Sequence, residues 1–341
     1  MISRRGFLQK AGKLTLGVSV LSPFLSFGKN LGREHSLSRY YKAAYTMGTV
    51  MTVEAFAEKA DQCERAVHEA IDEVKRIDRL MSVFDSSTQL STVNQMAGKS
   101  DVQVDGRLVD VLESSLFYYG ITDGAFDPTI EPLMELWGFR DRERSRKPTD
   151  RELHRTAEAV GAKNVSIDRR NSTVALLRER SKLDLGGIAV GYAVDRAVGI
   201  LRRHGVEIAL INHSGDIYAL GSPPDEDGWL VGITDPQHPE ETITSTRVKD
   251  KAISTSGNYE NYVNFDGVHY GHILNPRTGE PSSTVISSTV IANTALEADA
   301  LSTGIFVMGV QRGLKLVESL KNVDLIAITQ NEGREEVISS F

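Results

Sequence analysis

The chain has 341 residues but a single cysteine, Cys63. An intrachain disulfide is therefore excluded, even in an oxidising compartment. Cys63 is in phase with Val67, Ala70 and Val74 on one face of a predicted helix. This spacing indicates a core residue.

An excess of basic residues is also missing. The net charge is −7, and basic residues are not clustered beyond the N-terminus. Nucleic acid is therefore not an expected partner. The chain has no low-complexity tract and no short-period repeat. Its length suits one large domain, or two intimately packed ones, with ample core.

The uncharged apolar run near the N-terminus, Leu14–Phe27, is short for a membrane span and is interrupted by Pro23. It follows the sequence SRRGFL (3–8), which matches a twin-arginine export motif. We expect residues 1–28 to be a twin-arginine signal peptide, with a small-x-small cleavage site at 26–28, and the protein to work in the periplasm. An uncleaved segment would associate it with the inner membrane.

Residues 29–44 are predicted to be a polar linker, and residues 45–341 the folded domain. Apolar periodicity predicts strands and helices in mixed order. The helices are expected at 58–81, 107–119, 150–160, 188–204, 296–308 and 310–321. Strands are expected at 45–56, 207–219, 229–234, 248–254, 262–273 and 286–292, with hairpins at 165–177 and 324–339. This order favours an α+β fold of mostly antiparallel sheets with packed helices, and is compatible with an internal duplication.

Two short polar segments carry the most chemical information. His272 ends an alternating strand-like run, and the sequence NPRTG (275–279) then turns the chain. Asp299 and Thr303 are four residues apart on a predicted helix, so their oxygens lie on one face. This set resembles a site for a hard metal ion with an acid/base nearby. The alternative is a helix cap and a surface turn.

Two glycine-containing turns are further candidates for ligand contact. Gly186 and Gly187 join a strand to a helix, where backbone N–H groups suit a phosphate, although tight packing would also explain them. The turn at 124–129 is followed by Trp137 and Phe139, which would flank a planar ring or fill the core.

The order of the motifs resembles the ApbE family of FAD:protein FMN transferases over about residues 45–340. The matching segments are MGT (47–49), MSVF (81–84), GAFDPTIEPLMELWGF (124–139), LDLGGIAVGYAVD (183–195), STSGNYENY (254–262), HILNPRTGEP (272–281) and EADALSTGIFVMG (297–309).

The resemblance implies an ApbE/T-fold-like domain and a Mg²⁺-dependent reaction. FMN would pass from FAD to a Thr or Ser hydroxyl of an acceptor protein through a phosphoester bond, releasing AMP. Acceptors would be respiratory subunits or exported flavin reductases. By the same resemblance, Asp299, Thr303 and the Gly187 carbonyl would hold the metal, and His272 would handle the acceptor's proton. The flavin site would comprise Met47, Phe84, Ala125, Phe126, Asp127, Asp184, Val190 and Ile273.

The sequence departs from the family pattern at three positions. Val190 stands where many members have a lysine, Asn275 replaces an aspartate, and Ser214 replaces a glycine. Two other readings therefore remain open. One is an FAD pyrophosphatase, in which water replaces the acceptor and FMN and AMP are released. The other is a non-catalytic periplasmic flavin-binding protein.

Overall fold

The computed structural model describes residues 18–20, 37–141, 146–238, 240–259, 261–331 and 334–341. The predicted signal peptide lies outside the described residues, except for a short strand at 18–20. Within the described ranges, no helix is both long and apolar enough to cross a membrane.

The fold is α+β, as predicted, and the strands of the described residues pair antiparallel with one another. The strands are β1 (Val18–Val20), β2 (Ser38–Thr46), β3 (Thr49–Ala57), β4 (Val102–Gln103), β5 (Val165–Asp168), β6 (Thr173–Leu176), β7 (Ile208–His213), β8 (Asp216–Leu220), β9 (Trp229–Thr234), β10 (Thr242–Val248), β11 (Lys251–Gly257), β12 (Tyr262–Phe265), β13 (Val268–Gly271), β14 (Ser287–Ala292), β15 (Asp324–Asn331) and β16 (Arg334–Ser339). The helices are α1 (Ala60–Met81), α2 (Gln89–Gln95), α3 (Gly106–Ile121), α4 (Glu131–Trp137), α5 (Asp150–Ala157), α6 (Ala189–Arg203), α7 (Ala295–Met308) and α8 (Val310–Ser319).

An eight-stranded sheet in the order β16-β15-β14-β11-β8-β7-β3-β2 forms the centre of the molecule. Its inner strands are buried on both faces, because side chains alternate between two separate cores. On β11, for example, Ala252 belongs to one core and Ile253 to the other. Helices α1, α6 and α7 cover one face, and β9 with β10 packs on the other.

The predicted linker at 29–44 is wrong for residues 38–44, which belong to strand β2. This edge strand pairs with β3 through a tight turn at Met47 and Gly48, where both φ angles are positive. Strand β2 exposes every second residue and only half-buries most of the others, so its sequence lacks the apolar face of a buried strand. The single strand predicted at 45–56 is therefore the second half of a hairpin and its turn.

Two other predicted strands also prove to be hairpins. Residues 207–219 form β7 and β8, with a turn at Ser214 and Gly215, and residues 262–273 contain β12 and β13. Cys63 is fully buried on α1, as expected for a core residue. Trp137 and Phe139 are also buried, which confirms the core alternative for these two aromatic residues.

Candidate active site

A cleft of about 320 Å³ opens beside the end of β11, the first turn of α6 and the middle of α7. Its lining includes all the predicted site residues except Met47. They come from segments between residues 84 and 303, and the sheet and its helices bring them together. The predicted residues in the lining are Phe84, Ala125, Phe126, Asp127, Asp184, Gly187, Val190, His272, Ile273, Asp299 and Thr303.

The three predicted metal ligands meet at one corner of this cleft. Asp299 and Thr303 lie one turn apart on α7, and Asp299 is only 5% exposed. Its Oδ2 accepts a hydrogen bond of 3.0 Å from the backbone N–H of Gly191. Gly187 lies so close to Thr303 that an added Cβ would be 2.9 Å from the Thr303 Oγ1. The backbone at Gly187 therefore needs glycine to approach the hydroxyl.

Asp216 is a second buried carboxylate in the cleft, and we did not predict it as a site residue. Burial raises the pKa of Asp216 to about 7, although a hydrogen bond from Ser254 opposes the rise. Burial also raises the pKa of Asp299 well above its ordinary value, and the charge of Asp216 raises it further. The sequence signal was the polar segment NHSGD (212–216), which ends with this aspartate at the start of the buried strand β8.

This corner has the donor set that a hard divalent cation requires. Carboxylate, hydroxyl and carbonyl oxygens are the ligands that Mg²⁺ prefers over softer groups. Asp216 and Asp299 are both buried carboxylates with raised pKa values, and a nearby positive charge stabilises the ionised form of such groups. The residues present therefore fit Mg²⁺.

His272 follows β13 and is held by the main chain of Asn261. Its backbone N–H donates to the Asn261 carbonyl over 3.0 Å, and its Nδ1 lies 3.1 Å from the same oxygen. Because a carbonyl only accepts, Nδ1 carries the proton, and neutral His272 presents Nε2 as a proton acceptor. Burial lowers the pKa of His272 from its ordinary 6.5.

Asn275, which replaces the aspartate of the family pattern, does not change how the His272 ring is oriented. The Asn275 side chain accepts a hydrogen bond of 2.9 Å from the backbone N–H of Arg277, within the turn. An aspartate would accept the same bond. The orientation of His272 is set by the Asn261 carbonyl instead.

The turn at 124–129 forms another wall of the cleft. The Phe126 N–H donates to Thr122 Oγ1 over 3.0 Å, which fixes the turn to the end of α3. Asp127 accepts from the backbone and the hydroxyl of Thr129, at 2.8 and 2.6 Å. Burial nevertheless raises the pKa of Asp127 to about 6.

Phe84 and Arg140 stand together at the cleft. Phe84 is 76% exposed, and the Arg140 guanidinium lies 5.0 Å from the centre of its ring. Arg140 also forms ion pairs with Glu131 and Asp184. Its role was missed in the sequence because it opens a charged loop, which is typical of a solvated surface.

Val190 and Ser214 line the cleft, whereas Met47 does not. Met47 does not line the cleft, because it occupies the β2–β3 turn and its N–H donates to Asp78 Oδ2 over 2.8 Å. Val190 lines the cleft from the first turn of α6. Ser214 also lines it, in a left-handed conformation with φ of 57°, and its hydroxyl donates to that of Thr49.

Known proteins resemble this chain along most of its length. The model of the ApbE family matches residues 47–327. The FAD:protein FMN transferase of Vibrio cholerae is 30% identical, and the match covers 91% of this chain and 93% of that protein. The enzyme of the same name from Treponema pallidum is also 30% identical, with 91% and 90% covered.

Solved structures agree with the sequence match. The ApbE protein of Thermotoga maritima superimposes with a TM-score of 0.81 at 33% identity, covering 88% of this chain and 96% of that one. The flavin transferase ApbE from Vibrio cholerae gives a TM-score of 0.80 at 27% identity, covering 89% and 98%. The cleft, the fold and these matches lead to one conclusion: the chain belongs to the ApbE family.

Proposed function

We propose that this protein transfers FMN from FAD to a Thr or Ser hydroxyl of an acceptor protein and releases AMP. The observation that carries the proposal is the meeting of His272, Asp299, Thr303 and Gly187 in one cleft of an ApbE-family fold. The related proteins named FAD:protein FMN transferase support it.

The corner formed by Asp299, Thr303 and the backbone of Gly187 would hold Mg²⁺, with Asp216 close by. A bound Mg²⁺ would offset the charge of the FAD diphosphate and orient its phosphorus for attack. The Thr303 hydroxyl is hydrogen-bonded in this corner to the hydroxyl of Ser256, 3.2 Å away. Asp299 accepts a hydrogen bond from the Gly191 N–H.

His272 would accept the proton of the acceptor hydroxyl at Nε2. The hydroxyl oxygen then forms a bond to the FMN phosphorus, the bond to the AMP oxygen breaks, and AMP leaves. The lowered pKa of His272 keeps the imidazole neutral near neutral pH, as a proton acceptor must be. The Asn261 carbonyl fixes which nitrogen acts.

Two alternative activities use the same cleft. Attack by water would give FMN and AMP without an acceptor, and binding alone would give neither product. The test is to incubate the protein with FAD and Mg²⁺, with and without a polypeptide that carries the acceptor hydroxyl, and to measure AMP. AMP that forms only with the acceptor supports transfer. AMP without it indicates hydrolysis, and no AMP in either sample indicates a binding protein.

We also propose that the protein is exported by the twin-arginine route and modifies respiratory subunits or exported flavin reductases in the periplasm. The support is the paired arginine motif before the apolar run. Replacing Arg4 and Arg5 with lysine keeps the charge but removes the paired guanidinium groups. Cell fractionation should then find the variant in the cytoplasm, and normal periplasmic amounts would refute this route.

A further inference from the structure

Arg140 connects three separate segments at the cleft. It is the only lysine or arginine among the described residues that line the cleft. Its guanidinium contacts Glu131 on α4, Asp184 before α6 and Phe84 after α1. The Arg140 side chain is 18% exposed.

The two carboxylates fix the plane of the guanidinium. The Arg140 Nε lies 2.9 Å from each oxygen of Glu131, and Nη2 donates to both Glu131 and Asp184. Burial lowers the pKa of Arg140, but Asp184 and Glu131 raise it more, so the group stays charged. Paired bonds of this kind restrict an arginine to one orientation.

The fixed guanidinium covers one face of the Phe84 ring. A separation of 5.0 Å leaves no space for a third ring between them, since each stacked contact needs about 3.5–4.0 Å. A planar ligand that stacks on Phe84 must therefore use the other face of the ring, and the residue is 76% exposed. Because Arg140 packs on one face of Phe84, it determines which face of the ring remains free.

The same arginine also supports the loop at the metal corner. Asp184 uses Oδ2 for Arg140 and Oδ1 for the backbone N–H of Gly186, the latter at 2.7 Å. Gly186 precedes Gly187, whose backbone lies against Thr303. The contacts thus run without interruption from Phe84 to the predicted metal ligands.

We propose that Arg140 is a positioning residue for the flavin ring, acting through Phe84 and the Gly186–Gly187 loop. This inference rests on the proposed flavin transfer and identifies how this chain would orient the planar part of its substrate. Because Nε and Nη2 of Arg140 are directed at two carboxylates, its charge is offset there and not presented to the diphosphate.

The test compares binding of riboflavin, which has no phosphate, with binding of FAD, by titration calorimetry on the full chain without added metal. Arg140→Lys keeps the charge but loses the planar, paired contacts. We expect this variant to bind both ligands more weakly than the wild type, by the same factor of about tenfold.

Arg107→Lys is the matched control. Arg107 also pairs with two carboxylates, Glu73 at 2.8 Å and Asp105 at 3.2 Å, and it does not line the cleft. Its replacement should leave the affinity for both ligands unchanged.

Two results would overturn the proposal: unchanged binding of both ligands by Arg140→Lys, or weaker binding of FAD alone, which would indicate a direct phosphate contact. If Arg140→Lys does not fold, Glu131→Gln provides the same test, because it removes one of the two carboxylates that hold the guanidinium while Arg140 remains. Equally weaker binding of riboflavin and FAD by Glu131→Gln supports the proposal, and unchanged binding of both overturns it. A wild-type protein that binds neither ligand, and still does not bind FAD when Mg²⁺ is added, would instead refute the proposed function itself.

Discussion

The imidazole of His272 is oriented by a single main-chain oxygen, that of Asn261. This contact predicts a neutral ring with its proton on Nδ1. Because burial lowers the pKa, the ring should gain its second proton only as the pH falls below 6.5. Nitrogen-15 NMR of the ring, with His272→Gln to assign the signal, measures both properties. A proton on Nε2, or titration at or above pH 6.5, would contradict this geometry.

Replacing His272 with alanine should slow transfer by about 10²–10⁴-fold, the usual contribution of a general acid/base. Binding of FAD should largely remain, because most of the residues proposed to contact the flavin, including Phe84 and Phe126, lie on other segments. Bound FAD and the initial rate of AMP release separate the two effects. Turnover at the wild-type rate would show that His272 has no role in the mechanism. A loss of FAD binding as large as the loss of rate would show that His272 is a flavin contact.

Replacing Asp299 with alanine should abolish Mg²⁺-dependent AMP release, because it removes a buried carboxylate from the predicted metal corner. Thr303→Val should be milder and require more Mg²⁺, since water can replace a neutral ligand in the octahedral shell. A titration of Mg²⁺ against the rate of AMP release checks both variants. A wild-type response to Mg²⁺ in Asp299→Ala would place the metal elsewhere.

Local spacing was sufficient to predict some site residues but not others. Asp299 and Thr303 could be paired from the sequence because four residues make one helical turn. Arg140 could not be linked to Asp184, because 44 residues separate them and only the tertiary fold joins them. The buried setting of Asp216 likewise depends on strands and helices that are distant in sequence.

At the scale of elements, helices α6 and α7 meet without space for one additional carbon atom. A Cβ on Gly191 would lie 2.3 Å from the carbonyl oxygen of Ala295, which is backbone and cannot rotate away. Gly191→Ala should therefore lower the free energy of unfolding by about 1–3 kcal/mol or more.

Gly199, on the same helix, supplies the control for this prediction. A Cβ at Gly199 would meet only the end of Arg203, at 3.9 Å. Gly199→Ala should therefore raise the free energy of unfolding, by up to about 1 kcal/mol. Chemical denaturation of both variants tests the pair. Equal free energies of unfolding for the two variants would mean that α6 and α7 can move apart at little cost.

Elements with strong periodicity were predicted well, but the edge strand β2 was not. The apolar stripe of α1 runs through Val67, Ala70 and Val74, and these residues are fully buried. Strand β2 was mistaken for a linker because it has only one neighbour in the sheet and exposes half of its side chains. An edge strand therefore has a weaker hydrophobic signal than a central one.

At the scale of the whole molecule, the central sheet and its helices bring a proton acceptor, a predicted metal corner and an exposed aromatic ring to one cleft. These groups lie on segments that are up to 219 positions apart, from Phe84 to Thr303. Strands β2 and β3 before this span and strands β15 and β16 after it pair into the same central sheet. The proposed activity therefore belongs to the complete sheet-and-helix unit, including strand β2.

The central claim is that the protein attaches FMN covalently to a hydroxyl of another protein. The most direct measurement is mass spectrometry of periplasmic proteins from cells with and without this gene. We predict a peptide that carries FMN on Thr or Ser in the first sample and the unmodified peptide in the second, with the adduct restored by the wild-type gene but not by Asp299→Ala. The same FMN-bearing peptides in both samples would contradict the account.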